Sequence, residues 1–231
     1  MSGDPVKRWT AELEQVDRAE WPDFLDSHSG LPGPRANTSL AIALSAMADQ
    51  QLIDELLHSG DEYRTFCGAV SSGARVAMPG VITLLRELAT DDRWRVREGV
   101  VIGLQLAADT ARETVEQVVL AWSVDPDPLI ARAAVATICE PRLLDSPAAA
   151  AAAIDACHRA TAVLTGLSGA ARRSPAARTL RQALGYCWSV AVAADPRPGM
   201  VAFDTLASDA DADVQWIVRT NRAKKRMTAL S

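Results

Sequence analysis

Arg97 and Arg132 each stand five residues beyond an aspartate, Asp92 and Asp127 respectively. An aspartate before a helix accepts its first backbone amides, and a guanidinium on that helix binds carboxylate or phosphate through paired hydrogen bonds. Two roles are open to such pairs: an Asp–Arg ladder that pins neighbouring helices, or a row of arginines along a binding face. Trp94, between Arg93 and Arg95, sits at the start of the first of these helices. An indole there packs into a core or stays exposed to stack on a base or a partner side chain.

A second source of chemistry is charge. Between positions 156 and 194 the chain has Arg159, Arg172, Arg173, Arg178 and Arg181 and no acidic residue, and Arg219, Arg222, Lys224, Lys225 and Arg226 follow near its end. Gathered on one surface, such residues bind a phosphate backbone, each contact releasing counterions so that affinity falls with salt. The same residues also fit a solvated helix face and a basic end that complements a helix dipole. Residues 1–62 carry four basic and twelve acidic side chains, and residues 63–231 carry twenty and seventeen. The chain is therefore electrically polar along its length, while its net charge of −5 and pI near 5.3 oppose non-specific attraction to nucleic acid. The contacts to expect with a protein or DNA partner are Trp94, Arg97, Arg132, Arg178, Arg181, Arg222 and Lys225.

Other chemistry is poorly supported. His28, His58 and His158 have no metal-ligand spacing, and Cys67, Cys139, Cys157 and Cys187 form no C-x-x-C pair. Each cysteine lies in or beside an apolar helical run, where a free thiol acts as a small buried hydrophobe. Glycine-rich phosphate loops and the G-x-S-x-G elbow are absent, so neither metal nor cofactor is expected. The first residues lack an apolar leader and no stretch gives eighteen uninterrupted apolar residues, which predicts a cytoplasmic chain without membrane contact. A monomer is expected.

The elements that must position these residues read as helices throughout. Asp4-Pro5, Asp127-Pro128, Ser146-Pro147, Ser174-Pro175 and Asp195-Pro196 each place a side-chain acceptor before a residue with no amide to satisfy. Between them apolar residues recur at three and four, as in Ile82, Leu85, Leu88 and Val96, Val100, Leu104, with no sustained alternation of period two. Breaks fall at 29–34, at 72–73 and at 166–175, which predicts about a dozen short helices. The fold class is all-α.

Shifting the sequence by 35 lays residues 81–104 on 116–139, so that Leu85, Asp92, Arg97 and Val100 meet Leu120, Asp127, Arg132 and Val135. Each copy is an apolar helix, an acidic turn and a second helix carrying arginine. A shift of 118 brings Leu88, Asp91, Val96 and Val100 onto Leu206, Asp209, Val214 and Val218.

The pattern Asp-x-x-x-Val-Arg-x-x-x-Val at 92–101, partly repeated at 127–136 and 209–218, resembles the HEAT repeat. Segments 91–105 and 213–227 are similar to the AlkD-type HEAT-like proteins of DNA alkylation repair, and LPGPRANTSLA (31–41), CEPRLL (139–144) and LGYCWSVAVA (184–193) resemble a further HEAT-repeat branch. The resemblance implies a right-handed α-solenoid of about five to six antiparallel helix pairs. It would form one domain over residues 1–231, with 1–36 as capping helices and loop and 37–231 as a repeat stack with a basic end.

A repeat fold with no catalytic constellation points to a concave face that binds a protein or nucleic-acid partner without catalysis. The alternative within the resemblance is a DNA glycosylase or damaged-DNA binder, in which a carboxylate supports a cationic transition state. No Trp-Trp-Asp stands where that family carries its catalytic element. Asp61, Glu62 and Asp92 are the carboxylates available in its place.

Overall fold

A computed structural model of the chain describes residues 4–230. Among them there are fifteen α-helices and two short 3-10 turns, and no strand. Two compact units divide them, the first ending at Arg112 and the second beginning at Glu113.

The first unit holds α1 (Pro5–Leu13), α2 (Trp21–His28), α3 (Thr38–Met47), α4 (Gln50–His58), α5 (Glu62–Gly73), α6 (Val81–Leu88) and α7 (Trp94–Ala107). Its axis is α5, buried from Thr65 to Gly73 and packed by α2, α3, α4, α6 and α7. The reason lies in its composition: Cys67, Gly68, Ala69, Ser71, Ser72 and Gly73 offer small surfaces on every side, as a helix surrounded by others requires. Gly99 and Gly103 of α7 lie directly on it; a Cβ at Gly103 would stand 2.5 Å from the Val70 carbonyl oxygen and 2.7 Å from the Gly73 Cα.

Around α5, Trp9, Leu13, Trp21, Leu25, Leu40 and Leu44 complete a core with Tyr63 and Phe66. Each fully buried leucine contributes on the order of 2 kcal/mol. The 29–37 break is a structured loop. Asn37 caps α3 through the Leu40 amide and ties back to the His28 carbonyl, while Tyr63 Oη donates to the Asn37 carbonyl at 2.8 Å.

The second unit is built of α8 (Arg112–Trp122), which starts at the boundary, α9 (Pro128–Ile138), α10 (Pro147–Gly166), α11 (Gly169–Arg172), α12 (Pro175–Ala194), α13 (Pro196–Ala207), α14 (Ala212–Arg222) and α15 (Lys225–Thr228). Here α12 is the axis, packed by α9, α10, α13, α14 and α15. Alanine, the best helix former, dominates α10, and its buried Ala149, Ala150, Ala153, Ala156 and Ala160 leave room for close neighbours. Trp188 is fully buried and its indole N–H donates to Thr161 Oγ1 at 3.1 Å, as a buried indole needs.

Side chains of Asp4, Asp127, Ser146 and Ser174 accept amides at the starts of α1, α9, α10 and α12, as the proline steps predict. Asp195 precedes α13 without a capping bond. Asp92 does not cap α7 either, which begins without a side-chain capping bond; Asp91 accepts the Arg93 amide in the turn before it. All four cysteines are free and buried, and three of them gather in the second unit, with Cys139 and Cys157 sulfurs 3.7 Å apart and Cys187 Sγ 3.6 Å from the Val135 carbonyl.

Candidate functional site

Four arginines of the second unit converge on one cleft. Arg172, Arg173, Arg178 and Arg181 line it together with Gly169 and Asp213, enclosing about 380 Å³. The short helix α11 and the first turns of α12 bring the arginines in, and the start of α14 supplies the acid. Ser174 fixes this corner by capping α12 through the Ala177 amide, and Arg178 Nη1 donates to the Arg173 carbonyl at 3.1 Å.

Asp213 divides its two oxygens between two guanidiniums. One accepts Arg172 Nε at 2.9 Å and the other accepts Arg181 Nη1 at 2.8 Å. Arg172 also pairs with Asp211, the residue that caps α14. The hydrogen bond from Arg172 is the main reason that the Asp211 carboxyl titrates below the usual carboxylate range, and the same bond raises Arg172. Arg181 Nε is sealed from water without a hydrogen-bond partner. Arg173 and Arg178 are exposed at the rim.

Aromatic rings continue this surface. The Arg181 guanidinium lies 4.7 Å from the centre of the Trp216 ring, which packs against Gly185, where a Cβ would come within 2.7 Å of the ring. Arg178, Gln182 and Tyr186 follow at intervals of four on the exposed side of α12. Tyr186 is 43% exposed, its hydroxyl 3.0 Å from Arg226 Nη2 and its ring 5.8 Å from Lys224 Nζ. About 12 Å of helix separates Arg178 from Tyr186. The whole strip belongs to one unit.

The other residues singled out in the sequence lie elsewhere. Arg222 leans on α13, 4.0 Å from Asp204 and 6.0 Å from the Phe203 ring, and Lys225 is exposed at the first position of α15. Arg132 is half-buried on α9 and Arg159 pairs with Asp155 along α10.

In the first unit, Trp94 is half exposed with the Arg95 guanidinium 4.5 Å from its ring centre. Arg97 donates to the backbone carbonyls of Asp91 and Asp92, so it fastens the turn before α7. The Asp92 residue itself is exposed. Asp61 caps α5 through the Arg64 amide at 2.8 Å, and Glu62 pairs with Arg95 at 3.3 Å. Both line a cleft of about 550 Å³ with Asp26, Ser29, Tyr63 and Arg95. Tyr63 is buried, and burial pushes its hydroxyl pKa far up, so it serves as a hydrogen-bond donor and not as a base.

Sequence reasoning located the arginines but not their counterions. Asp213 lies 32 positions from Arg181, and no short-range pattern joins them. Tyr186 also went unremarked; its signal was its i+8 spacing from Arg178 on a helix.

Among the described residues, no group of three or more histidine, cysteine or acidic side chains could hold a metal ion, and no helix is long and apolar enough to cross a membrane. Comparisons with protein-family models, with curated proteins and with solved structures return no match to this chain.

Proposed function

We propose that this chain is a non-enzymatic recognition module of the HEAT-like kind, and that its second unit holds the sugar-phosphate backbone of a nucleic acid. The observation that carries this is the strip from the α11–α12 turn along α12, α14 and α15, where Arg173, Arg178 and Arg181 run into Trp216, Tyr186 and Arg226. Guanidiniums track phosphates, and rings beside them stack on bases or sugars. The stacked-helix reading, a right-handed solenoid of about five to six pairs presenting a concave face, draws support from helix starts. α7, α9 and α14 begin at residues 94, 128 and 212, within one position of the shifts of 35 and 118 that align the sequence with itself.

Titration of labelled single- and double-stranded oligonucleotides at several salt concentrations tests the reading. Binding that weakens linearly in log salt, with a slope reduced by about one for each arginine reversed, is expected. No binding even at low salt removes the nucleic-acid reading. Release of a base from an alkylated duplex replaces it with the glycosylase alternative, for which Asp61, Glu62 and Asp92 are the carboxylates to mutate.

A further inference from the structure

We propose that the cleft between α11, α12 and the start of α14 is a pocket for the terminal phosphate monoester of a nucleic-acid strand. The inference rests on the reading of the second unit as a nucleic-acid surface and narrows it to one end of the strand.

The first argument is charge. Four guanidiniums, from Arg172, Arg173, Arg178 and Arg181, face two carboxylates, Asp211 and Asp213, which leaves an excess of two positive charges at the cleft. An internal phosphodiester carries one negative charge, whereas a phosphate monoester carries about −1.5 to −2 at neutral pH and three strong acceptor oxygens. The monoester is the closer match.

The second argument is geometry. Asp213 already shows what an oxyanion does in this place: its two oxygens take Arg172 and Arg181 at 2.9 and 2.8 Å. Arg173 makes no side-chain hydrogen bond or ion pair among the described residues, and Arg178 spends only Nη1, on the Arg173 carbonyl. Donors in excess of acceptors remain for an anion with more oxygens than a carboxylate. Asp213 thus acts as a resident competitor, and an entering phosphate exchanges with it for the guanidiniums.

The third argument assigns the macromolecule. Trp216 forms the ring under Arg181, and Tyr186 lies further along the same side of α12. A strand whose terminal phosphate fills the cleft would therefore run its first bases toward two aromatic rings, which a phosphopeptide has no general need of.

The test compares short oligonucleotides bearing a 5′-phosphate, a 3′-phosphate or hydroxyl ends, with the fluorophore at the opposite end, bound to the full chain at fixed salt. One phosphorylated end should bind about ten-fold more tightly than the hydroxyl-ended strand. That preference should shrink between pH 7.5 and 5.5 as the monoester takes up its second proton near pH 6. The charged groups facing the phosphate are the four arginines with Asp211 and Asp213, and no histidine lines the cleft, so the titration belongs to the ligand. Asp213→Asn should enlarge the preference, and Arg173→Ala should bring it toward one, each variant first checked for an unchanged thermal transition. Equal affinity for all ends overturns the pocket while leaving the backbone reading standing, and absence of any oligonucleotide binding overturns both. A phosphoserine peptide that binds more tightly than every oligonucleotide overturns the choice of nucleic acid. Weaker binding by Asp213→Asn overturns the exchange.

Discussion

Asn221 of α14 enters the backbone of α12 at Ser189. Its side-chain oxygen accepts the Ser189 amide at 2.9 Å, and its nitrogen donates to the carbonyls of Leu184 and Ile217 at 2.9 and 2.8 Å. The residue is fully buried, so all three of these hydrogen bonds are shielded from water. This single amide joins the two helices whose outer sides carry the basic strip.

Asn221→Ala therefore removes three buried hydrogen bonds from this junction. The expected loss is about 2–4 kcal/mol of unfolding free energy, visible as a lower midpoint in urea denaturation. A loss below about 0.5 kcal/mol would mean that water substitutes for the amide.

Glycine substitutions should have opposite signs at two sites. Gly103→Ala forces a methyl against the Val70 carbonyl and the Gly73 Cα, both backbone, and overpacking of this kind costs about 1–3 kcal/mol. Gly166→Ala meets nothing within 4 Å at the end of α10, and should raise stability by about 0.4–1 kcal/mol by restricting the unfolded chain. Paired denaturation curves check both.

Acid should weaken both units through their Asp–Arg pairs. Asp211, bonded by Arg172, and Asp91, bonded by Arg93, both titrate below the ordinary aspartate value. A depressed folded-state pKa contributes stability that is present above the unfolded value of about 4 and is lost as pH falls through the folded value. Melting temperature should thus fall below about pH 4, and Asp211→Asn, which keeps a capping side chain, should flatten part of that fall. An acid limb identical in wild type and variant would exclude Asp211 as a contributor.

Among the surface cations, position should outweigh charge. Arg178→Glu places an acid on the rim of the basic cleft, whereas Arg222→Glu places one beside Asp204 and Phe203 on the α13 flank. Both change net charge equally, yet only the first should reduce the salt slope of oligonucleotide binding by about one or more. Equal effects would spread the interface across both flanks.

Helix starts were legible where a short side chain and proline announce them together, as at Asp127-Pro128 and Ser174-Pro175, because capping is a local interaction. The start of α7 at Trp94 was legible, but no aspartate caps it: Asp91 accepts the Arg93 amide in the turn before the helix. The break at 166–175 concealed the four-residue α11, too short for any periodic signal. At the candidate site the arginine cluster was visible as composition along 156–194. What was not visible was which arginines meet. Arg178 and Arg181 share a cleft with Arg172, whereas Arg222 is drawn off by Asp204, a pairing that depends on how α13 and α14 pack; Arg159 meets Asp155 four residues back on α10, a local pair that the sequence spacing already contains.

The distribution of buried sulfur supplies the molecule with its own reporter of local opening. Cys67 lies inside α5 of the first unit, whereas Cys139, Cys157 and Cys187 lie inside the second. Burial raises the Cys67 and Cys157 thiols above their ordinary values, so a thiol reagent reacts only when the surrounding helices part. The rate at which one sulfur and then three are modified measures the opening of each unit separately, without a label added to the chain.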